Sequence, residues 1–180
     1  MEKEIERKFL IDAEKLPPLS NGKHIVQGYL SEYPQIRVRL ITDGANIESA
    51  TMAYKSPARL ASQLARPPFG LSHQAIAGRA GVAGGAPVVL VREEIEFSIP
   101  LKEAKELMAQ TDIQLEKTRF LIGRWEIDVY GGKNLGLVVA EIELKSEDED
   151  VGILPAWISK EVTGDKRYGN VTLAKKGFRL

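Results

Sequence analysis

Like charges recur two residues apart in six separate stretches of this chain: Glu4/Glu6, Arg37/Arg39, Glu94/Glu96, Lys117/Arg119, Glu126/Asp128 and Glu141/Glu143. In an extended strand residues i and i+2 share a face, so each doublet sets two equal charges side by side and is mildly destabilising by itself. The residues between them are apolar: Ile5 and Phe9 around Glu4, Glu6 and Lys8; Val38 between the two arginines; Ile95 and Phe97 beside Arg92, Glu94 and Glu96; Ile127 and Ile142 within the last two doublets. A half-buried open sheet normally mixes signs and adds Ser, Thr and Asn on its wet face. Repeated doublets become favourable if they converge across a closed barrel, acids around a cation and bases around a polyanion. The pattern therefore predicts an inside-out barrel with a charged interior and an apolar exterior packed on helices. Arg7 is the exception, on the apolar side of the first strand.

The rest of the chain fits that frame. Strands are predicted over Glu2 to Asp12, Lys23 to Ser31, Gln35 to Ile41, Ile47 to Ser56, Val88 to Ile99, Ile113 to Ile122, Arg124 to Tyr130 and Leu135 to Lys145. Pro17-Pro18, Asn21-Gly22, Asp43-Gly44, Gly123 and Gly131-Gly132 punctuate them. Pro100 opens a helix over Leu101 to Gln110, where its missing N–H costs nothing. Pro155 to Ser159 and Asn170 to Lys176 read as short terminal helices. The fold class expected is α+β, predominantly antiparallel β, with about eight strands in one domain over residues 1–180. Residues 57–87 contain no Asp or Glu and show no period-2 pattern, so they read as a mobile insertion. A sharper reading makes them a basic lid carrying Arg59, Arg66 and Arg79, with Arg59 to Ala65 forming a helical turn.

Composition narrows the chemistry. With no cysteine and only His24 and His73, thiolate or histidine-rich metal sites and cysteine nucleophiles are excluded. Twenty-five basic and 25 acidic side chains cancel, so no global field recruits nucleic acid or an anionic membrane. No leader or long uncharged apolar run is present, and a cytoplasmic protein is expected. A homodimer is one way to cover the outward apolar face. Lys8, Arg37, Arg39, Lys55, Arg92, Lys117 and Arg119 offer more positive charge than a single phosphate needs. A chain of linked phosphates is the natural guest, with a hard, oxygen-liganded divalent cation, Mg2+ or Mn2+, bound by carboxylates such as Glu4 and Glu6.

These residues resemble the CYTH domains, or triphosphate tunnel metalloenzymes. Glu4-Ile-Glu6-Arg-Lys8 matches their ExExK signature, and further segments agree in order: Gln27-Gly-Tyr29, Arg37-Val-Arg39, Tyr54-Lys55, Arg92-Glu-Glu94-Ile-Glu96, Glu116-Lys117-Thr-Arg119, Glu126-Ile-Asp128-Val-Tyr130, Glu141-Ile-Glu143 and Glu161-Val-Thr-Gly-Asp165-Lys-Arg167-Tyr168. The match spans the chain except residues 57–87 and is strongest to the short bacterial members that hydrolyse inorganic tripolyphosphate. It implies an eight-stranded tunnel with a triphosphate along its axis. Glu4, Glu6, Glu141 and Glu143 would hold the metal, with Asp128 aiding a second ion. Lys8, Arg37, Arg39, Lys55, Lys117 and Arg119 would hold phosphate oxygens. Arg92, Glu94 and Glu96 would be internal ion-pair partners, and Tyr29 and Asp165 to Tyr168 would be gating or mouth elements. The chemistry expected is metal-assisted phosphoanhydride hydrolysis, with Glu6 in the catalytic set and Lys8 or Lys117 protonating the leaving phosphate. Rival readings are a class IV adenylate cyclase, a nucleoside triphosphatase, a thiamine-triphosphate hydrolase using Trp157 and Tyr168, and a non-catalytic polyphosphate-binding or RNA-interacting module.

Overall fold

The computed structural model describes residues 1–43, 48–62 and 88–179. They form ten strands: β1 (Glu2–Ile11), β2 (Lys23–Glu32), β3 (Gln35–Thr42), β4 (Glu48–Lys55), β5 (Arg59–Ser62), β6 (Val88–Ser98), β7 (Gln114–Ile122), β8 (Trp125–Tyr130), β9 (Val138–Glu143) and β10 (Ile158–Glu161). Helix α1 (Leu101–Met108) follows β6, and α2 (Asn170–Lys176) closes the chain. Eight strands pair antiparallel in the order β1-β9-β8-β7-β2-β3-β4-β6, and β6 pairs again with β1, so the sheet closes on itself. The short β5 and β10 are additions, β5 on the edge of β6 and β10 on the edge of β1.

Local sequence explains most boundaries. Gly123, at φ +60°, opens a two-residue turn that brings Ile122 opposite Trp125. Pro100 sits at the cap of α1, and Ala104 and Met108 pack that helix onto Val38 and Ala50 outside β3 and β4. Gly28 matters for the same contact, because a Cβ there would lie 2.6 Å from Met108 Sδ.

Two predicted helices are strands instead. Arg59 to Ser62 pairs with Val91 to Val88, the free edge of β6 overriding the helical preference of Leu and Ala. The remainder of the predicted insertion, with Arg66 and Arg79, lies outside the described residues apart from Pro57, Ala58 and this strand. The helix predicted at Pro155 to Ser159 is absent. Ile158 to Glu161 pairs with β1, and the turn before it puts Trp157 into the outer core.

The alternation sorts as predicted. Ile5, Phe9, Val89, Val91, Ile127, Ala140, Ile142, Leu144 and Trp157 form an apolar cluster outside the ring. Phe9, Trp125 and Trp157 stack edge to face within it, with centroids 5.5 Å apart at each step. A second cluster of Tyr29, Leu115, Tyr130, Leu137, Val139, Leu173 and Ala174 closes one end of the barrel under α2. Burying Phe9 and Ile127 completely should contribute roughly 1.5–3 kcal/mol each. Among the described residues no helix is long and apolar enough to cross a membrane.

Candidate active site

Closure of the ring turns separate doublets into one network. Cross-strand register places Glu4 opposite Arg92, Lys8 opposite Glu141, and Arg119 opposite Asp128. Lys55 Nζ donates to both oxygens of Glu4 at 2.9 Å and lies 2.9 Å from Glu94. Arg37 NH2 donates to Glu96 at 2.7 Å and to Glu94 at 3.2 Å. Lys8 Nζ stands 2.7 Å from Glu141 Oε1. Arg119 forks onto both oxygens of Asp128, at 2.7 and 2.6 Å, and reaches Glu141 at 2.8 Å and also Glu126. Lys117 donates to Asp128 in a spot where neither side chain meets solvent.

The register also opposes like charges. Glu6 faces Glu143, Glu126 faces Glu141, and Glu2 faces Glu94. Such pairs weaken a sheet unless a cation intervenes. Glu141 and Glu126 have Arg119 between them, whereas Glu6 has Arg92 at 3.8 Å and the field of Lys8 but no close ion pair among the described residues. Among the described residues no three acidic or histidine side chains stand close enough, as they lie, to ligate one ion.

The electrostatics follow from these neighbours. Burial would raise Glu4, but Lys55 and Arg92 beside it hold it down at about 2. Burial pushes Glu6 up, with Glu141 and Glu4 adding to the effect against the pull of Lys8 and Arg92. Glu143 is also raised, by burial and then by Glu4, Glu126, Glu2 and Glu94. Lys8 overcomes its burial and sits above the ordinary lysine range because Glu141 and Glu6 flank it. Burial, with Arg119 alongside, brings Lys117 down to about 8, and burial beside Arg37 brings Arg39 to about 10. Arg39 is the least compensated of the interior bases: Glu96 is 3.7 Å away and the Arg39 Nε has no partner.

Two cavities open into this interior. One, of about 280 Å³, is lined by Glu2, Glu4, Arg37, Arg39, Lys55, Glu94, Glu96 and Glu143. The other, of about 250 Å³, brings Glu6, Lys8, Arg37 and Arg92 against Val162 to Lys166 and the start of α2. Arg37 lines both.

The structure revises several expectations. Asp128 has both oxygens occupied by Lys117 and Arg119 and no exposure. Tyr29 is fully buried in the apolar cluster under α2, where its hydroxyl accepts a hydrogen bond from Gln27 at 2.6 Å. Arg59 pairs with the exposed Glu147 and not with the interior. Trp157 is stacked outside the barrel and Tyr168 packs near Phe178, so these two do not form the aromatic cradle expected for a thiamine ring. Glu94 and Glu96 do hold Arg37 and Lys55, and Arg92 holds Glu4. Two contributors escaped the charge pattern. Gln27 faces the interior but carries no charge, and Glu126 was read only as half of a doublet although it holds Arg119.

No family model matches the chain. An inorganic triphosphatase of Acetivibrio thermocellus is 30% identical over 187 residues, spanning 99% of this chain and 97% of that protein. An inorganic triphosphatase of Nitrosomonas europaea is 37% identical over 93 residues, 47% of this chain and 61% of that protein. The crystal structure of an inorganic triphosphatase superposes with a TM-score of 0.53 and 28% identity, covering 97% of this chain and 95% of the other. A near-full-length relative at that identity and a closed eight-stranded ring with a charged interior lead to one assignment: the chain belongs to the inorganic triphosphatase family, the triphosphate tunnel metalloenzymes of CYTH type.

Proposed function

We propose that this protein hydrolyses a phosphoanhydride bond of inorganic tripolyphosphate, with Mg2+ or Mn2+ as cofactor, inside the charged barrel. The observation that carries the reading is the convergence of Lys8, Arg37, Arg39, Lys55, Lys117 and Arg119 inside one closed ring of strands. Two relatives named for the activity support it. Arginine forks suit phosphate oxygens bidentately and lysines act as compact charges, so these six bases hold a linear polyanion. A cysteine-free chain acting on such a substrate fits a reducing cytoplasm.

The acids fit a hard divalent cation. The donors are all carboxylate oxygens, and Glu6 faces Glu143 without enough counter-charge to offset the pair. Glu6, Glu143, Glu4 and Glu141 are the residues that would hold the ion, the last two by giving up part of their present ion pairs. A bound divalent cation would neutralise phosphate charge and polarise the bond under attack. The chain's own residues do the rest. Arg37, Arg39 and Lys55 hold phosphate oxygens, and Glu94 and Glu96 keep those bases extended. Lys8, kept charged by Glu141, offsets charge on the transferring phosphoryl group. Lys117, with its pKa near 8, suits proton donation to the leaving phosphate.

Phosphate release from tripolyphosphate, ATP, GTP and thiamine triphosphate, each with Mg2+ and with Mn2+, tests the reading. Fastest release from tripolyphosphate is expected. A cyclic nucleotide from ATP would point instead to a cyclase, and tight tripolyphosphate binding without release to a binding module. Arg39→Ala should lower kcat/KM about 10–100-fold, partly through a raised KM, since a charge-assisted contact contributes roughly 1.5–3 kcal/mol. Steady-state kinetics indistinguishable from wild type would remove Arg39 from the site.

A further inference from the structure

Lys8 sits at a seam in the barrel. Along one edge of β1, residues Glu2 to Glu6 pair with β6 and residues Phe9 to Ile11 pair with β10, leaving Lys8 between the two partners. Its backbone is nevertheless satisfied. The carbonyl accepts from Val162 N at 2.8 Å, and the N–H donates to the hydroxyl oxygen of Thr163 at 3.0 Å. That hydroxyl in turn donates to Glu161 Oε1 at 2.8 Å. Glu161 is gripped from the far side by Arg7, with Nε to Oε1 at 2.9 Å and NH2 to Oε2 at 2.7 Å. Arg7 is itself only 6% exposed, and its guanidinium lies 5.0 Å from the centre of the Phe9 ring. A bidentate arginine pair braced on an aromatic face is a rigid element. It lies outside the ring and touches none of the interior charges, yet it ends on the amide of Lys8.

We propose that Thr163, fixed by the Arg7–Glu161 pair, is a positioning residue for Lys8, holding that backbone at the seam so that the side chain is aimed at the transferring phosphoryl group. The inference rests on the proposed function for Lys8 as a phosphate-binding residue. It explains why a buried arginine interrupts the apolar side of β1, and why Glu161 and Thr163 stand two apart at the end of β10. Glu161 orients the hydroxyl, and the hydroxyl takes the place of a strand partner on the β6/β10 edge of Lys8, the other edge being paired with β9. Ground-state binding is shared among six bases, so a displaced Lys8 weakens substrate binding little. Transition-state stabilisation needs it in place, and a misplacement near 1 Å costs up to about 100-fold.

Thr163→Val removes the hydroxyl and keeps the shape. It should lower kcat for tripolyphosphate about 10- to 100-fold with KM within about threefold and the melting temperature nearly unchanged, whereas Thr163→Ser should restore most of the turnover. Amide hydrogen exchange at Lys8, read by NMR, should accelerate in the valine variant and not in the serine one. Wild-type kcat in Thr163→Val, or an equal loss in Thr163→Ser, overturns the proposal. If the valine variant does not fold, Glu161→Gln replaces it, and wild-type kcat there is equally fatal. A wild-type protein inactive on tripolyphosphate but with this exchange pattern overturns the proposed function and leaves the clamp standing; an unchanged Lys8 amide in Thr163→Val overturns the clamp whatever the activity.

Discussion

Replacing Glu6 with glutamine is expected to lower metal-dependent tripolyphosphate hydrolysis by about 10³-fold while leaving the metal-free protein as stable as before, or more so. The activity loss follows from removing a carboxylate that has Glu143 opposite it, with Arg92 at 3.8 Å and Lys8 too little to offset its burial. A cation held there supplies several kcal/mol of charge stabilisation, and each 1.4 kcal/mol is tenfold in rate. The stability outcome follows from the sign of the pKa shift. Burial, with Glu141 and Glu4, raises Glu6 in the folded protein, so the unfolded chain releases that proton more readily. Above the ordinary carboxyl range the charge therefore destabilises the fold, and glutamine removes the penalty. Divalent cation should reverse the comparison, raising the melting temperature of wild type by binding the native state alone and that of Glu6→Gln much less. Thermal melts with EDTA and with Mg2+ or Mn2+ read both effects. A variant that loses activity and also melts lower in EDTA would make Glu6 a structural residue.

This opposition between function and stability is what made the site legible. A strand with Glu4 and Glu6 on one face is a poor strand in water, and the repetition of that fault in six segments pointed to a shared interior. Period-2 alternation also gave the strand positions, because each apolar partner had to face the outer core. What the alternation could not carry was the register between strands. Whether Asp128 meets a metal or two bases depends on Arg119 standing opposite it, a pairing set by the two-residue turn at Gly123 and by closure of the whole ring. The short additions were misread for a related reason. Four residues at Arg59–Ser62 and four at Ile158–Glu161 carry too little periodicity to announce a strand, and the open edges of β6 and β1 decide their conformation. Arg7 stood out as a charge on the wrong face. Only the pairing of β10 supplies the carboxylate that accounts for it.

Asp128→Asn is expected to be the most destabilising conservative change in the barrel, costing about 3–5 kcal/mol. The substitution keeps the shape but removes the negative charge from beneath two cations, one of which, Lys117, cannot reach water. Arg119 keeps Glu126 and Glu141; Lys117, with no side-chain exposure, loses its direct counter-ion. For a chain of this size the melting temperature should fall by about 10 °C or more. Lys117 can relieve part of the strain by giving up its proton. Its folded pKa is already down at about 8, against 10.5 for an ordinary lysine, so the unfolded chain binds more protons in that window and stability contributed by this group rises with pH. Losing Asp128 pushes the folded value lower still, and the deficit relative to wild type should narrow as pH passes about 8, where Lys117 is neutral in both proteins. Chemical denaturation at pH 7 and pH 9 measures the gap. A variant as stable as wild type, but needing far more Mg2+ or Mn2+ for turnover, would return Asp128 to the metal set and free Lys117 and Arg119 from the anchoring assigned to it.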